Sequence, residues 1–176
     1  QPLENLNLAF ARDGALVRVG KGKHITEPVL LHHRLCEGGT SAHTRSVVAL
    51  EEGAELILIE IDDGSAETQA FANSVTRIVL EPRSRLHHIR VTMNTSPAVV
   101  VRSDTVEVGR DASYYGVILS SATALARHQL QARMIGRGAS FELACAYAAG
   151  GGQHTAYAIA VIHAAPDPRS RILSTG

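Results

Sequence analysis

The 176-residue sequence has no tryptophan, and phenylalanine and tyrosine together make up only 4% of it. So few aromatic rings give little platform for stacking sugar rings. There are only two cysteines, Cys36 and Cys145, and no CxxC pair. They do not form a disulfide framework, which favours a reducing compartment and predicts a cytoplasmic location.

The sequence also lacks a long apolar run and an excess of either charge. No stretch of about 18 apolar residues is present, so we expect no membrane-spanning helix. Lysine plus arginine and aspartate plus glutamate number 17 each. Without a basic excess, nucleic acid is a poor candidate partner, because neutralising phosphates dominates that affinity. We expect one domain over residues 1–176, and the missing initiator methionine suggests a piece of a longer protein.

What is present is a seven-residue pattern, apolar-x-x-Gly-x-x-apolar, that returns along the chain. Its copies start at residues 19, 50, 80, 108 and 135, which are 31, 30, 28 and 27 residues apart. We expect Ser84 and Asp111 to replace the central glycine in two copies. A fixed period in this range is typical of stacked repeats. The five copies are Val19–Ile25, Leu50–Leu56, Leu80–Leu86, Val108–Tyr114 and Ile135–Phe141.

The segments between the copies are short, rich in β-branched residues and partly alternating, as in Leu56–Ile61 and Val75–Leu80. No window sustains a helical pattern; residues 123–135 come nearest. The sequence therefore predicts an all-β parallel β-helix of about six turns. In it, Val19, Leu50, Leu80, Val108 and Ile135 would take equivalent inward positions. A β-sandwich is the alternative, but it gives no reason for the period.

Histidines and cysteines offer little sign of a metal or catalytic site. The pairs His32–His33 and His87–His88 cannot chelate one metal, because adjacent strand residues point to opposite faces. We interpret them as surface or satisfied histidines, at different phases of the repeat. Cys145, in an alanine-rich strand, reads as core packing, and Cys36 is the more exposed thiol. We therefore predict no catalytic, cofactor-binding or metal-binding residue and no tightly bound metal.

One cluster of carboxylates is a further candidate for a functional site. Glu60, Asp62 and Asp63 end a strand, and alternation puts the first two on one face and Asp63 on the other. On a β-helix, two carboxyl groups at a defined separation can cleave polysaccharides. The more economical interpretation is a solvated strand end.

The later part of the chain carries a more specific pattern. Ala126-Arg127-His128 leads to Ile135-Gly-Arg-Gly-Ala-Ser, then to Gly150–Gly152 with Gln153-His154. His163-x-x-Pro166-x-x-x-Ser170 follows, before Gly176. In this order and spacing the chain resembles the SufB/SufD family, and residues 50–54 and 73–82 resemble it too. The chain departs from the family pattern at Ala156, where an aspartate is usual, and at Pro168, where many members have cysteine.

The resemblance implies a right-handed parallel β-helix and membership of an iron–sulfur cluster assembly complex. The expected partners are a SufB-like subunit and a SufC-like ATPase, with a homodimer as a further option. The SufD side of the family is favoured, because SufB-type cysteines are missing. The chain would then be a scaffold without its own catalysis, binding no cofactor itself, while the complex assembles the cluster transiently.

Two alternatives remain: a β-helix enzyme acting on polysaccharide, and a purely structural, self-associating solenoid. The C-terminal edge, from about Asp167 onward, is expected either to pair with a neighbouring chain or to fray. Unpaired backbone groups at a solenoid end favour such pairing. The resemblance places the SufB-like partner near this end.

Overall fold

The structure is a computed structural model that describes residues 2–35, 39–64, 70–94, 97–121 and 124–176. Cys36 lies outside the described residues. Within the described ranges, one helix, α1 (Pro2–Phe10), precedes twelve strands. These are β1 (Leu16–Val19), β2 (Val29–Leu35), β3 (Ser41–Leu50), β4 (Glu55–Gly64), β5 (Phe71–Leu80), β6 (Arg85–Asn94), β7 (Val99–Val108), β8 (Ser113–Ser121), β9 (Leu125–Met134), β10 (Ser140–Ala148), β11 (His154–His163) and β12 (Arg169–Thr175).

The strands form two six-stranded parallel sheets, and the chain alternates between them. The odd-strand sheet has the order β1-β3-β5-β7-β9-β11, and the even-strand sheet has the order β12-β10-β8-β6-β4-β2. Each strand therefore pairs with its equivalent one turn away, which confirms the predicted parallel β-solenoid. It has about five turns rather than six, because β1 has only four residues and the first turn is incomplete.

Four of the five predicted inward positions are in register. Val19 pairs with Leu50, Leu50 with Leu80 and Leu80 with Val108. The fifth prediction, Ile135, is wrong by one residue: Val108 pairs with Met134, which is buried, while Ile135 is 50% exposed. The cause is the turn between β9 and β10, which is one residue longer than its equivalents in the preceding turns.

A tight turn with one residue at positive φ joins the odd and even strands. Gly53 has φ 67° in the second turn, and its equivalent in the third turn is Arg83, with φ 62°. The prediction that Ser84 replaces the glycine is therefore wrong; Ser84 is buried and its hydroxyl donates to the Glu81 carbonyl oxygen. Asp111, with φ 55°, does take the glycine position. Asp167, with φ 57°, takes the same position in one further turn, 29 residues after Gly138, and so continues the period beyond the five predicted copies.

Helix α1 was not predicted, because its nine residues carry no sustained helical pattern. It lies against β3 and β5, on the outer face of the odd-strand sheet. Fully buried Asn7 anchors it by donating to the carbonyl oxygens of Thr44 (2.9 Å) and Asn73 (2.7 Å). At this point of the sheet, the Asn7 side chain therefore takes the place of water as the donor to the two carbonyl oxygens. In the described part of the chain, no helix is long and apolar enough to cross a membrane.

The interior of the solenoid has two halves of different chemistry. Where the odd strands end and the even strands begin, the inward side chains form an apolar core that includes Leu50, Leu80, Val108 and Phe141. Where the even strands end and the odd strands begin, buried side chains are largely polar or charged. This second half contains the candidate site.

Candidate functional site: a charged layer inside the solenoid

Five charged side chains meet inside the polar half of the solenoid, and we call them the charged layer. Two neighbouring strands of the even-strand sheet, β4 and β6, and one strand of the odd-strand sheet, β7, supply them. Their side chains point inward because they occupy alternate positions, in phase with the apolar core residues of the same strands. All five are at most 7% exposed: Glu60, Asp62, Arg90, Arg102 and Asp104.

Arg90 bridges two of the carboxylates. Its Nη2 donates to Glu60 Oε2 at 2.9 Å, and Nε lies 3.3 Å from the same oxygen. Its Nη1 donates to Asp104 Oδ2 on the opposite sheet. Burial by itself would lower the pKa of Arg90, but Asp104 and Glu60 raise it above its ordinary value. The guanidinium therefore stays charged and ties the two sheets together.

Arg102 makes the second bridge. Its Nη1 donates to Glu60 Oε2 at 3.1 Å, and its Nη2 donates to Asp62. The other carboxylate oxygen of Asp62 accepts a hydrogen bond from the Thr92 hydroxyl at 3.3 Å. Both carboxylates are thus held by guanidinium groups, the arrangement that makes a buried charge tolerable.

Glu60 is the centre of this layer and has two histidine neighbours. His88 Nε2 lies 3.3 Å from Glu60 Oε1, and His33 Nε2 lies 3.7 Å from Oε2. Burial would raise the pKa of Glu60, but Arg90 and both histidines hold it well below its ordinary value. Its carboxylate is therefore ionised. The other ring nitrogen of His88 is 3.0 Å from the Tyr114 hydroxyl, which fixes the ring.

His128 lies next to the charged layer, on β9, where it is the register partner of Arg102 on β7. It is buried, and its Nε2 is 3.1 Å from the Ser120 hydroxyl. Burial, together with the positive charges of Arg102 and Arg90, lowers the pKa of His128 to about 3. This histidine is neutral at neutral pH, unlike the arginines beside it.

A cavity of about 470 Å³ opens into the polar half at the end of the solenoid that carries α1. Asp62 and His33 reach it from inside, and Arg12, Asp13 and Arg34 line it nearer the surface. The charged layer therefore approaches this cavity through Asp62, next to His33.

The structure corrects the interpretation of Glu60 and Asp62 as a solvated strand end. The predicted alternation is right: both point one way, while Asp63 lies outside, with its Oδ2 2.9 Å from His32 Nε2. The face that Glu60 and Asp62 share, however, is the interior. Alternation alone cannot say which face is inward, and the guanidinium partners come from strands 30 and 42 residues later.

The predictions for the histidines and cysteines are likewise right in part and corrected in part. Each histidine pair does point to opposite faces, as predicted, and the two pairs are out of register. His33 and His88, however, belong to the interior rather than to the surface. Cys145 is buried and its burial raises its pKa, which confirms it as core packing.

The sequence did not single out Arg90 and Arg102, although they are the cations of the layer. The sequence did contain a signal: an arginine stands at a repeat position whose equivalents point inward, opposite the acidic residues. Among the described residues, no three His, Cys, Asp or Glu side chains are grouped so that they could hold a metal ion. Within the described residues, each carboxylate of the charged layer is paired with a guanidinium group, while Glu60 Oε1 and Asp104 Oδ1 accept no hydrogen bond.

Comparison with known proteins agrees with this architecture. No curated protein matches the chain. Residues 33–176 match the family described as "SUF system FeS cluster assembly, SufBD core domain". The match begins in β2 and covers every complete turn of the solenoid. The chain therefore belongs to the SufB/SufD family of the SUF system for iron–sulfur cluster assembly.

Proposed function

We propose that the chain is the core of a SufD-type scaffold subunit, which pairs with a SufB-like subunit in a cytoplasmic complex driven by a SufC-like ATPase. The observation that carries this proposal is the family match over residues 33–176, on a solenoid whose buried carboxylates are paired with buried arginines. A scaffold needs a rigid body and an interface, and the solenoid supplies both.

The pairing of the charged-layer carboxylates with arginines supports a role without catalysis. Glu60 and Asp62 are held by Arg90 and Arg102, and Asp62 lines the cavity whereas Glu60 does not, so the two carboxylates do not face a glycosidic bond together. The thiol of Cys145 is buried and has a raised pKa, so it is a poor nucleophile or cluster ligand. The lack of SufB-type cysteines in the sequence favours SufD over SufB, with cluster chemistry carried out by the complex.

Free strand edges support pairing with another subunit. Within the described chain, β11 and β12 each pair on one side only. Such edges present unpaired N–H and C=O groups that another strand can bind. A SufB-like subunit would have a similar solenoid edge to offer.

Coexpression with tagged SufB-like and SufC-like proteins tests the proposal. We expect the chain to copurify stoichiometrically with the SufB-like subunit, and to do so without the ATPase. Copurification with neither protein would overturn the proposal. Cleavage of acidic glycans would favour the enzyme alternative instead, and self-association alone would favour the structural solenoid.

A further inference from the structure

The outer face of the even-strand sheet carries two apolar rows that run across the strands. The register of the strands places six outward side chains in the first row: Leu30, Ile59, Ile89, Val117, Ala144 and Leu173. The second row, two residues further along each strand, contains Ile61, Val91, Leu119 and Ala146. We call these two rows the apolar face. Leu30 and Leu173, at its opposite ends, are 55% and 54% exposed.

Among the described residues, polar side chains interrupt the outer face of the odd-strand sheet. The row that starts at Val47 and ends at Ala160 contains Arg77, Thr105 and Gln131 between them. Helix α1 covers another part of that sheet, through Asn7. In the part of the chain that the structure describes, α1 packs on β3 and β5 rather than on the even-strand sheet. Strand propensity alone would make both outer faces apolar, so the contrast indicates a contact specific to one sheet.

We propose that a second copy of this chain packs on the apolar face, sheet against sheet, about a two-fold axis parallel to the strands. Such an axis passes between β6 and β8, and it lays β2 over β12 and β4 over β10 of the other copy. Equivalent rows then face each other, which is the self-complementary arrangement of a two-fold dimer. The proposal does not rest on the proposed function.

The sizes of the side chains favour this axis. It places Ile59 over Ala144 and Ile61 over Ala146, so that large side chains face small ones. Ile89 faces Val117, and Leu30 faces Leu173. Alternating large and small residues across an interface lets two sheets keep the usual separation of about 10 Å. A two-fold axis along the solenoid would instead set Ile59 against Ile61 at one end and Ala144 against Ala146 at the other.

The area and the charge of the face are also suitable. Six strands of seven to ten residues, about 4.8 Å apart, present roughly 800 Å² per copy, which matches the roughly 800 Å² per partner of a standard interface. The formal net charge of the chain is zero, so two copies do not repel each other strongly. Exposed Arg169 and Arg171 of β12 would lie near Glu27, which precedes β2, in the other copy.

The first test is sedimentation of the 176-residue chain at concentrations up to roughly 100 μM, because interfaces of this size give micromolar or tighter dissociation constants. We expect a dimer whose dissociation constant rises at least about tenfold in Ala144→Arg. Ala158→Arg, on the outer face of the odd-strand sheet, is the matched control and should leave the dimer intact. A monomer over the whole range would overturn the proposal.

Crosslinking identifies the contact without depending on how Ala144→Arg folds. In a Cys36→Ser background, Leu30→Cys combined with Leu173→Cys should give a covalent dimer with a short bismaleimide. The two positions are five strand spacings apart within one chain, roughly 24 Å, so the crosslink must join two copies. Val47→Cys with Ala160→Cys, on the odd-strand sheet, should not crosslink. Equal crosslinking through both cysteine pairs would contradict the proposal. So would loss of the dimer in Ser174→Pro, at the edge of the sheet.

Discussion

Glu60 and Arg90 are register partners on β4 and β6, 30 residues apart in sequence and one turn apart in space. Their ion pair therefore follows the same period as the apolar core. A second arginine, Arg102, reaches the same carboxylate oxygen from the opposite sheet. The repeat that stacks apolar residues in one half of the interior thus also stacks opposite charges in the other half.

Removal of the Glu60 charge should destabilise the fold strongly. Glu60→Gln leaves Arg90 and Arg102 buried with less than their full complement of negative charge. Breaking a buried ion pair in this way costs about 3–5 kcal/mol in the free energy of unfolding. Urea unfolding monitored by circular dichroism measures it. The control, Glu142→Gln on the exposed face of β10, should change stability by less than about 0.5 kcal/mol; equal losses for the two variants would contradict the role of the charged layer.

The low pKa of His128 predicts a loss of stability in mild acid. Below its ordinary value of 6.5 and down to about 3, the unfolded chain binds a proton at this residue and the native chain does not. The free energy of unfolding should therefore fall by about 2 kcal/mol from pH 7 to about pH 5 on account of this group. Glu60 adds its own loss only below its ordinary pKa of 4.5, outside this interval.

The variant His128→Gln should flatten that pH dependence while keeping a hydrogen-bonding group beside Ser120. Exposed His154→Gln serves as the control and should retain the wild-type slope. Unfolding by urea at a series of pH values gives both slopes. If His128→Gln leaves the slope unchanged, His128 is not the residue that couples folding to pH.

The sequence was sufficient to predict the solenoid, because its period and its β-branched segments both reflect the stacking of turns. It did not predict the charged layer, since alternation assigns Glu60 and Asp62 to one face without saying that the face is interior. Arg90 and Arg102 compensate for that burial, and they lie one turn or more away. Helix α1 also escaped prediction, because polar contacts, chiefly those of Asn7, hold it rather than an apolar stripe.

Gly53 should be needed for its backbone conformation rather than for space. A Cβ added there would come no closer than 3.9 Å to a neighbouring atom, but φ is 67°. Gly53→Ala should therefore cost about 1–2 kcal/mol of unfolding free energy through the left-handed conformation alone. Gly20→Ala is the matched control: its nearest contact is also 3.9 Å and its φ is not positive. Equal thermal stabilities for the two variants would refute this reasoning.

The purified chain should contain no stoichiometric iron or zinc. Within the described residues no suitable group of ligands is present, and the carboxylates of the charged layer are occupied by arginines. Elemental analysis of untagged protein measures the metal content directly. One metal ion per chain, retained after dialysis against a chelator, would contradict the prediction and direct attention to Cys36.

The free edge of β12 should be the part of the solenoid that a SufB-like subunit pairs with. Arg169 N–H donates to the Ala139 carbonyl oxygen, so residues at the alternate positions, Ser174 among them, direct their N–H groups to the free side. Ser174→Pro removes one such donor without removing a bond to β10, a substitution that edge strands tolerate. Copurification with the SufB-like subunit should fall in Ser174→Pro and persist in Ser174→Ala, which keeps the N–H. Undiminished copurification of the proline variant, with unchanged thermal stability, would place the interface elsewhere on the solenoid.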